Sequence, residues 1–580
     1  MIKMKKYLFV LILLLVFPAV YARSGSMKLL AVSEKDGEEI GATADLFLEI
    51  RPGTGRIFIE TVPLTKLDTQ MSTRFAKEIA CDFLDKDCAN YDFFYTIRSN
   101  SAIIGGPSAG AATTILTIAV LDNLKLDKKT TITGTINSGG LIGPIGGLNA
   151  KMQAARDANM TRVMISELNS NENITAYGKD IGIEVVNVLD IEDAIYAMTG
   201  KKYRKDTNLI IDGNYINIME TIAGDLCGRS ENMSKEYAFS EDDNLSFLNS
   251  SKDNLQKGLD LINSKKYYSA ASYCFGANVK YKFLIMENMS RKDVAKELID
   301  TKQSILDYDA EISGKKIQTI TDLQAFMIVK DRIKEAEQNL NSSEELFAEN
   351  NTQLSIYNLA FAIERLNSAK TWANFFDKPG KKYDISEETL RESCLNKISE
   401  AEERYQYATL YIPLALEATK DEIDLANRDF ENGDYGLCLF KASKAKAEAD
   451  LILTATGVSQ DQVKDLIDIK LESIRKIIAY NDNFFPIIGY SYYEYASVLR
   501  DDEPYSALIY AEYASELSNL DIYFKIDKRT IWSYIDSEYV YLFFFGAAFG
   551  FTLCALIVVL YNRPRNSKNK KIKYKSIRKK

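Results

Sequence analysis

The chain has 580 residues, 46% hydrophobic and 26% charged, too long for one core and too apolar for disorder, so two to four domains are expected. It contains no histidine, which excludes Ser-His-Asp and Cys-His catalysis, His-bound zinc or haem, and the usual imidazole pH switch. Thirteen Lys and Arg crowd the two ends, so the formal charge of −9 leaves −22 for the body, which argues against a nucleic-acid binder.

At the start, Lys5 and Lys6 precede an apolar stretch over residues 7–17, followed by Pro18 and the small-residue pattern Val20-Tyr21-Ala22. This reads as a signal peptide over residues 1–22, cut after Ala22. From residue 27 to 199 the pattern is mixed. Alternating apolar positions at 28–32, 44–50 and 56–60, with a Pro52-Gly53-Thr54-Gly55 turn, predict an antiparallel meander. Helical spacing of Phe75, Ile79, Ala80 and Phe83 predicts a helix over 71–85, and residues 95–98 a further strand. A helix over 108–124, a strand near 130–134, a Gly-rich loop to Gly147 and a helix over 149–158 follow. Short strands at 162–165 and 184–188 and a helix over 191–198 close the unit.

From 204 to 536 the chain turns to long helical periodicity with few Gly or Pro. Three segments share a motif that begins at Tyr268, Tyr435 and Tyr505, and a looser fourth begins at Leu354; each opens a small-residue helix after a polar turn. The second helices of tetratricopeptide hairpins open in a similar way, but the spacing here is irregular, so the region reads as an array of divergent helical hairpins. Residues 539–561 carry no charge and are long enough to cross the ~30 Å of a bilayer core, which predicts a transmembrane helix. Ten positive charges in residues 562–580 assign that tail to the cytoplasm and the bulk of the chain to the outer face. Eight Asn-X-Ser/Thr sites between Asn159 and Asn350 agree with export. So does an even set of six cysteines outside the span, which could pair in 15 ways or stay free; Cys81 and Cys88 are nearest in sequence.

The residues that point to chemistry lie in the first domain. Gly105-Gly106-Pro107-Ser108-Ala109-Gly110 puts a serine on a sharp turn at the mouth of a helix, where the unpaired amides near Gly106, Pro107 and Ala109 offer an oxyanion or substrate-loop site. Such a turn is more often a structural cap than a nucleophile's seat. Without histidine a serine needs another base, and a lysine serves if burial lowers its pKa. Lys151 stands in the first turn of a helix after Gly143-Pro144-Ile145-Gly146-Gly147, 43 positions after Ser108. By itself it reads as a solvated helix lysine.

Taken together, Gly-Pro-Ser-Ala-Gly, Thr133-Gly134-Thr135-Ile136 and the Gly-Pro-Ile-Gly-Gly-Leu run before Lys151 resemble the proteolytic domain of Lon (S16-type) proteases. The resemblance continues through Ala154-Ala155, Val163-Met164-Ile165 and Ile191-Glu192-Asp193-Ala194, and covers residues 27–203. It implies an α/β (α+β) fold like the second domain of a ribosomal small-subunit protein (ribosomal-protein-S5-domain-2-like). It implies Ser108 as nucleophile, Lys151 as general base and later acid, and Thr133 as the residue that positions the lysine. Many Lon domains carry an acid near the Pro of this motif, where this chain has Gly105 and Gly106. Lon proteases also carry an ATPase module, yet no Gly-x-x-x-x-Gly-Lys-Ser/Thr frame occurs here. The expectation is an exported, stand-alone, membrane-anchored peptidase of the archaeal Lon-like kind. It would act without ATP, metal or other cofactor on unfolded or extended polypeptides, with homo-oligomerisation left open. The alternatives are a catalytically silent pseudoprotease acting as a peptide-binding receptor or scaffold, and self-cleavage near residues 204–212.

Overall fold

The computed structural model describes residues 23–35, 38–62, 64, 66–99, 106–136, 138–169, 172–204, 208–237, 245–409, 412, 416–455, 458–480, 483–524 and 537–561. The expected signal peptide, Gly105 and the basic tail lie outside the described residues, as does part of the segment at 204–212. The chain divides into two units, Met1–Lys525 and Ile526–Lys580.

The first unit begins with a sheet in the order β1(Arg23–Lys35), β2(Glu38–Pro52), β4(Tyr91–Ser99), β3(Ile57–Val62). β1 pairs with β2 and β2 with β4 antiparallel, but β3 lies parallel on the far side of β4. The expected meander is therefore corrected at its third strand. The cause is α1(Leu67–Phe83), which connects β3 to β4; a crossover through a helix returns the chain parallel, where a tight hairpin would have made it antiparallel. β3 alternates half-buried and exposed residues along its length, as an edge strand does.

α2(Gly110–Leu121) is buried on every side, packed among Leu46, Phe75, Phe93 and Ile97. Such a helix should be apolar all round, yet it carries three threonines. All three satisfy their hydroxyls within the helix, donating to carbonyls one turn back: Thr113 to Ala109, Thr114 to Gly110 and Thr117 to Thr113 at 2.7–2.9 Å. Beyond it, β5(Thr130–Thr133), β8(Arg162–Ser166) and β9(Glu184–Val188) form a parallel sheet, and β6(Thr135–Ile136) with β7(Ile142–Gly143) a short antiparallel pair. The helices α3(Leu148–Asp157), α4(Glu172–Asp180) and α5(Ile191–Thr199) complete this mixed α/β region.

The rest of the unit is helical, and hairpins organise it. α7(Leu245–Asn263) packs on α8(Tyr267–Met286), after α6(Gly213–Glu236); α10(Ile320–Ala348) packs on α11(Thr352–Trp372), after α9(Arg291–Ser313). α13(Glu417–Glu431) packs on α14(Tyr435–Ala455), after α12(Glu387–Thr409), and α16(Ile487–Leu499) on α17(Pro504–Leu517), after α15(Val463–Tyr480). The four segments singled out in the sequence each lie in the second helix of one of these pairs. Their small residues explain it: Ala270, Ala277, Ala360, Ala362, Ala442 and Ala511 are fully buried, so neighbouring helices approach from several sides.

Three cysteine pairs are disulfide-bonded: Cys81–Cys88, Cys227–Cys274 and Cys394–Cys438, with Cα atoms 6.1, 5.0 and 5.7 Å apart. The first ties the end of α1 to the turn before β4, the second α6 to α8, and the third α12 to α14.

The second unit contains α18(Ser537–Tyr561). Its side chains are described without interruption only over residues 544–558, and among the described residues no helix is long and apolar enough to cross a membrane. The expected transmembrane helix is therefore not borne out among the described residues, although residues 537–561 are helical, with Phe545, Phe551 and Leu556 exposed.

Candidate active site

Ser108 sits in a single 3₁₀ turn, Pro107–Ala109, that runs straight into α2. The turn is entered through Gly106 at φ 108° and ψ 149°, a backbone conformation that only glycine adopts without strain. A Cβ there would meet nothing nearer than the Ser108 Oγ at 4.0 Å, so the requirement for glycine is one of backbone, not of space. Two hydrogen bonds fasten the turn to residue 134: the Gly134 N–H donates to the Ser108 carbonyl and the Ala111 N–H donates to the Gly134 carbonyl, each at 3.1 Å. The Thr69 hydroxyl at the start of α1 donates to the Gly106 carbonyl at 3.4 Å. Ser108 is half-buried, as a residue that meets a substrate must be. Of the amides expected to face an oxyanion, Pro107 has none to give; it fixes the first position of the turn, and the N–H groups of Ser108 and Ala109 open the helix.

Lys151 lies in the first turn of α3, its N–H donating to the Gly147 carbonyl at 3.0 Å. The solvated helix lysine that its isolated context suggested is not what the fold makes of it. Lys151 is 3% exposed, and among the described residues no carboxylate lies within ion-pair distance. Burial pulls its ammonium down to about 8, partly offset by the charge of Glu39 on β2. The seat comes from the β1–β2 hairpin. A Cβ on Gly41 would stand 1.9 Å from the Ala150 carbonyl, so only glycine lets α3 lie this close to β2. On the opposite flank, the side-chain amide of Asn169 brackets the Gly-rich loop, accepting from the Ile145 N–H at 2.8 Å and donating to the Ile145 carbonyl at 3.0 Å.

Thr133 ends β5, immediately before the residue that holds the Ser108 turn. It is 1% exposed and its Oγ1 has no hydrogen-bond partner among the described residues. A buried hydroxyl with unused donor and acceptor is uncommon in a folded core and suits a group that orients another during reaction. The turn of Ser108 and the helix of Lys151 both pack on β1.

The helical region packs on the α/β region at several points. Gly139, in the loop between β6 and β7, meets Ser473, Ile477 and Ser515 of α15 and α17. Glu78 of α1 is held by Arg404 at 2.9 Å and by Lys446 at 3.2 Å, from α12 and α14. Lys476 of α15 meets Asp190 at 3.3 Å. Sequence reasoning missed Glu39, Gly41, Thr69, Asn169 and these docking contacts. Each is distant in sequence from Ser108 or Lys151, and none belongs to a motif.

Residues 90–198 match the model of the Lon protease (S16) C-terminal proteolytic domain. This region is a Lon-like protease domain. The chain is 28% identical over 121 residues to the archaeal Lon protease of Thermoplasma volcanium, covering 21% of this chain and 18% of that one. It is 30% identical over 111 residues to the archaeal Lon protease of Methanocaldococcus jannaschii, covering 19% and 16%. With the Lon protease of Phenylobacterium zucineum it shares 36% over 164 residues, covering 26% and 20%. The chain therefore spans a fifth or less of the length of these curated relatives. The matched region contains Ser108, Thr133 and Lys151.

Proposed function

We propose that the chain is an ATP-independent serine endopeptidase in which Ser108 and Lys151 act as a dyad, tethered to the outer face of a membrane. The observation that carries this reading is a buried Lys151, without a counter-ion among the described residues, inside a Lon-like domain. A lysine at its ordinary pKa would be almost wholly protonated at neutral pH. Lowering it from 10.5 to about 8 raises the neutral fraction at pH 7 by about 300-fold. Ser108 Oγ then attacks the scissile carbonyl while its proton passes to the Lys151 Nζ. As the C–N bond breaks, Lys151 returns that proton to the leaving amine. Water, deprotonated by Lys151, then hydrolyses the Ser108 ester. The amides of Ser108 and Ala109 stabilise the oxyanion, and Thr133 orients the lysine.

Independence from ATP is supported by the absence of a phosphate-binding frame from the given sequence. Substrates are then polypeptides that are already unfolded or extended. The tether rests on the uncharged run 539–561 with its basic flank, and export on the three disulfides and the Asn-X-Ser/Thr sites. The test is hydrolysis of labelled casein by the full chain without nucleotide. Ser108→Ala is expected to lower turnover by roughly 10³-fold or more. A wild-type chain that binds casein and never cuts it would put the pseudoprotease reading in its place.

A further inference from the structure

Away from the protease domain, seven helices of the array (α6, α8, α10, α11, α14, α16 and α17) line a cavity of about 340 Å³. Its walls are aromatic. Tyr268, Trp372, Tyr492, Tyr495 and Tyr510 meet mostly edge to face, for example Tyr268 and Trp372 at 6.0 Å and Tyr495 and Tyr510 at 4.7 Å. Ser272, Phe275, Arg365, Tyr495 and Tyr510 are half-buried, so one side opens to solvent.

Five charged side chains line this space: Arg332, Arg365 and Lys444 against Asp331 and Glu335. Four of them are matched. Arg365 pairs with Glu335, Lys444 with Glu422 at 3.3 Å, and Asp331 with Lys441 at 2.7 Å. Arg332 is not. It is 8% exposed, it donates through Nη1 to the Ser368 hydroxyl, and its guanidinium stands 4.8 Å from the Trp372 ring centre. Among the described residues its Nε has no hydrogen-bond partner and no carboxylate lies within ion-pair distance. Burial, reinforced by the like charge of Arg365, pulls the guanidinium down to about 10. A cation–π contact and one hydroxyl do not offset the desolvation of a buried charge, so the arrangement lacks a counter-ion.

We propose that this cavity binds a small carboxylate ligand, its carboxylate paired with Arg332 and its apolar body packed between Trp372 and the tyrosine rings. The lining carries three cations and two carboxylates, so a monoanion neutralises it and a phosphate dianion overfills it. A planar guanidinium with a free edge matches the two oxygens of a carboxylate, and aromatic walls match an aromatic or aliphatic body. The volume is at the small end for ligand pockets, which selects a single amino-acid derivative or a molecule of similar size. This site stands whether or not Ser108 and Lys151 form a dyad.

The test is isothermal titration of the full chain with N-acetylphenylalanine, with its uncharged amide and with inorganic phosphate. The acid is expected to bind saturably, the amide at least tenfold more weakly and phosphate more weakly than the acid. Arg332→Gln is expected to lose at least tenfold in affinity for the acid while casein hydrolysis is unchanged. In thermal melts the acid raises the transition of the wild-type chain and not that of the variant. Equal binding of acid and amide, tighter binding of phosphate, no binding of any probe, or undiminished binding by Arg332→Gln would overturn the proposal. If Arg332→Gln does not fold, Tyr495→Ala decides in the same way, a tenfold loss supporting the site and unchanged affinity refuting it.

Discussion

Lys151→Met is expected to give a protein that no longer hydrolyses casein and melts at a higher temperature than the wild type. The folded state holds the lysine at about 8, against 10.5 when exposed. Between those values the unfolded chain binds more protons than the folded one, so stability rises as pH rises through this window. Below pH 8 the whole cost is present, and at 1.36 kcal/mol per pKa unit it is at most about 3 kcal/mol. Methionine fills the same buried volume without the charge. The gain in melting temperature should therefore be largest at pH 7 and fade towards pH 10. Melts of both chains at the two pH values check it; a variant less stable than wild type at pH 7 would show that the lysine is structurally satisfied and is not held poised as a base.

Arg404→Ala is expected to loosen the helical array from the protease domain at a cost of about 3–5 kcal/mol, the usual effect of breaking a buried ion pair from one side. Arg404 is 1% exposed, stacks on the ring of Phe75, and stands between Glu78 of α1 and Asp450 of α14. Its Nε lies 3.2 Å from Asp450 Oδ1 without the direction of a hydrogen bond, so this contact is charge against charge. Burial already raises the Asp450 carboxyl to about 7 with Arg404 beside it, and the variant leaves that carboxyl without its arginine. α1 carries Thr69, whose hydroxyl holds the Gly106 carbonyl at the entrance to the Ser108 turn. Casein turnover should fall together with the melting temperature, and new protease-sensitive sites should appear between the two regions. If the array is only a stalk, turnover will be unchanged.

The sequence reading located Ser108 and Lys151 because each stands where a Gly-rich turn meets a helix, a local pattern. It also placed β5, β8, β9 and α5 within a residue or two, since short apolar runs between turn residues have few alternatives. It misplaced β3, whose partner depends on where α1 carries the chain and not on the strand itself. The short helix α4 was missed, as its nine residues span little more than two turns. Lys151 reads as solvated in its own window because its helix packs on a hairpin more than a hundred residues earlier, with Gly41 against Ala150 and Val32 against Gly147. Two of the three cysteine pairs join residues more than forty positions apart, and nothing local chooses among the 15 pairings.

A serine nucleophile activated by a lysine without nucleotide can be trapped by covalent labelling. The full chain would be treated with a fluorophosphonate at several pH values without ATP and the adduct mapped by mass spectrometry. A single adduct on Ser108 is expected, with a labelling rate that rises with pH through an inflection near 8 and no adduct in Lys151→Met. Labelling of another residue, or equal labelling of Ser108 in wild type and Lys151→Met, would contradict it.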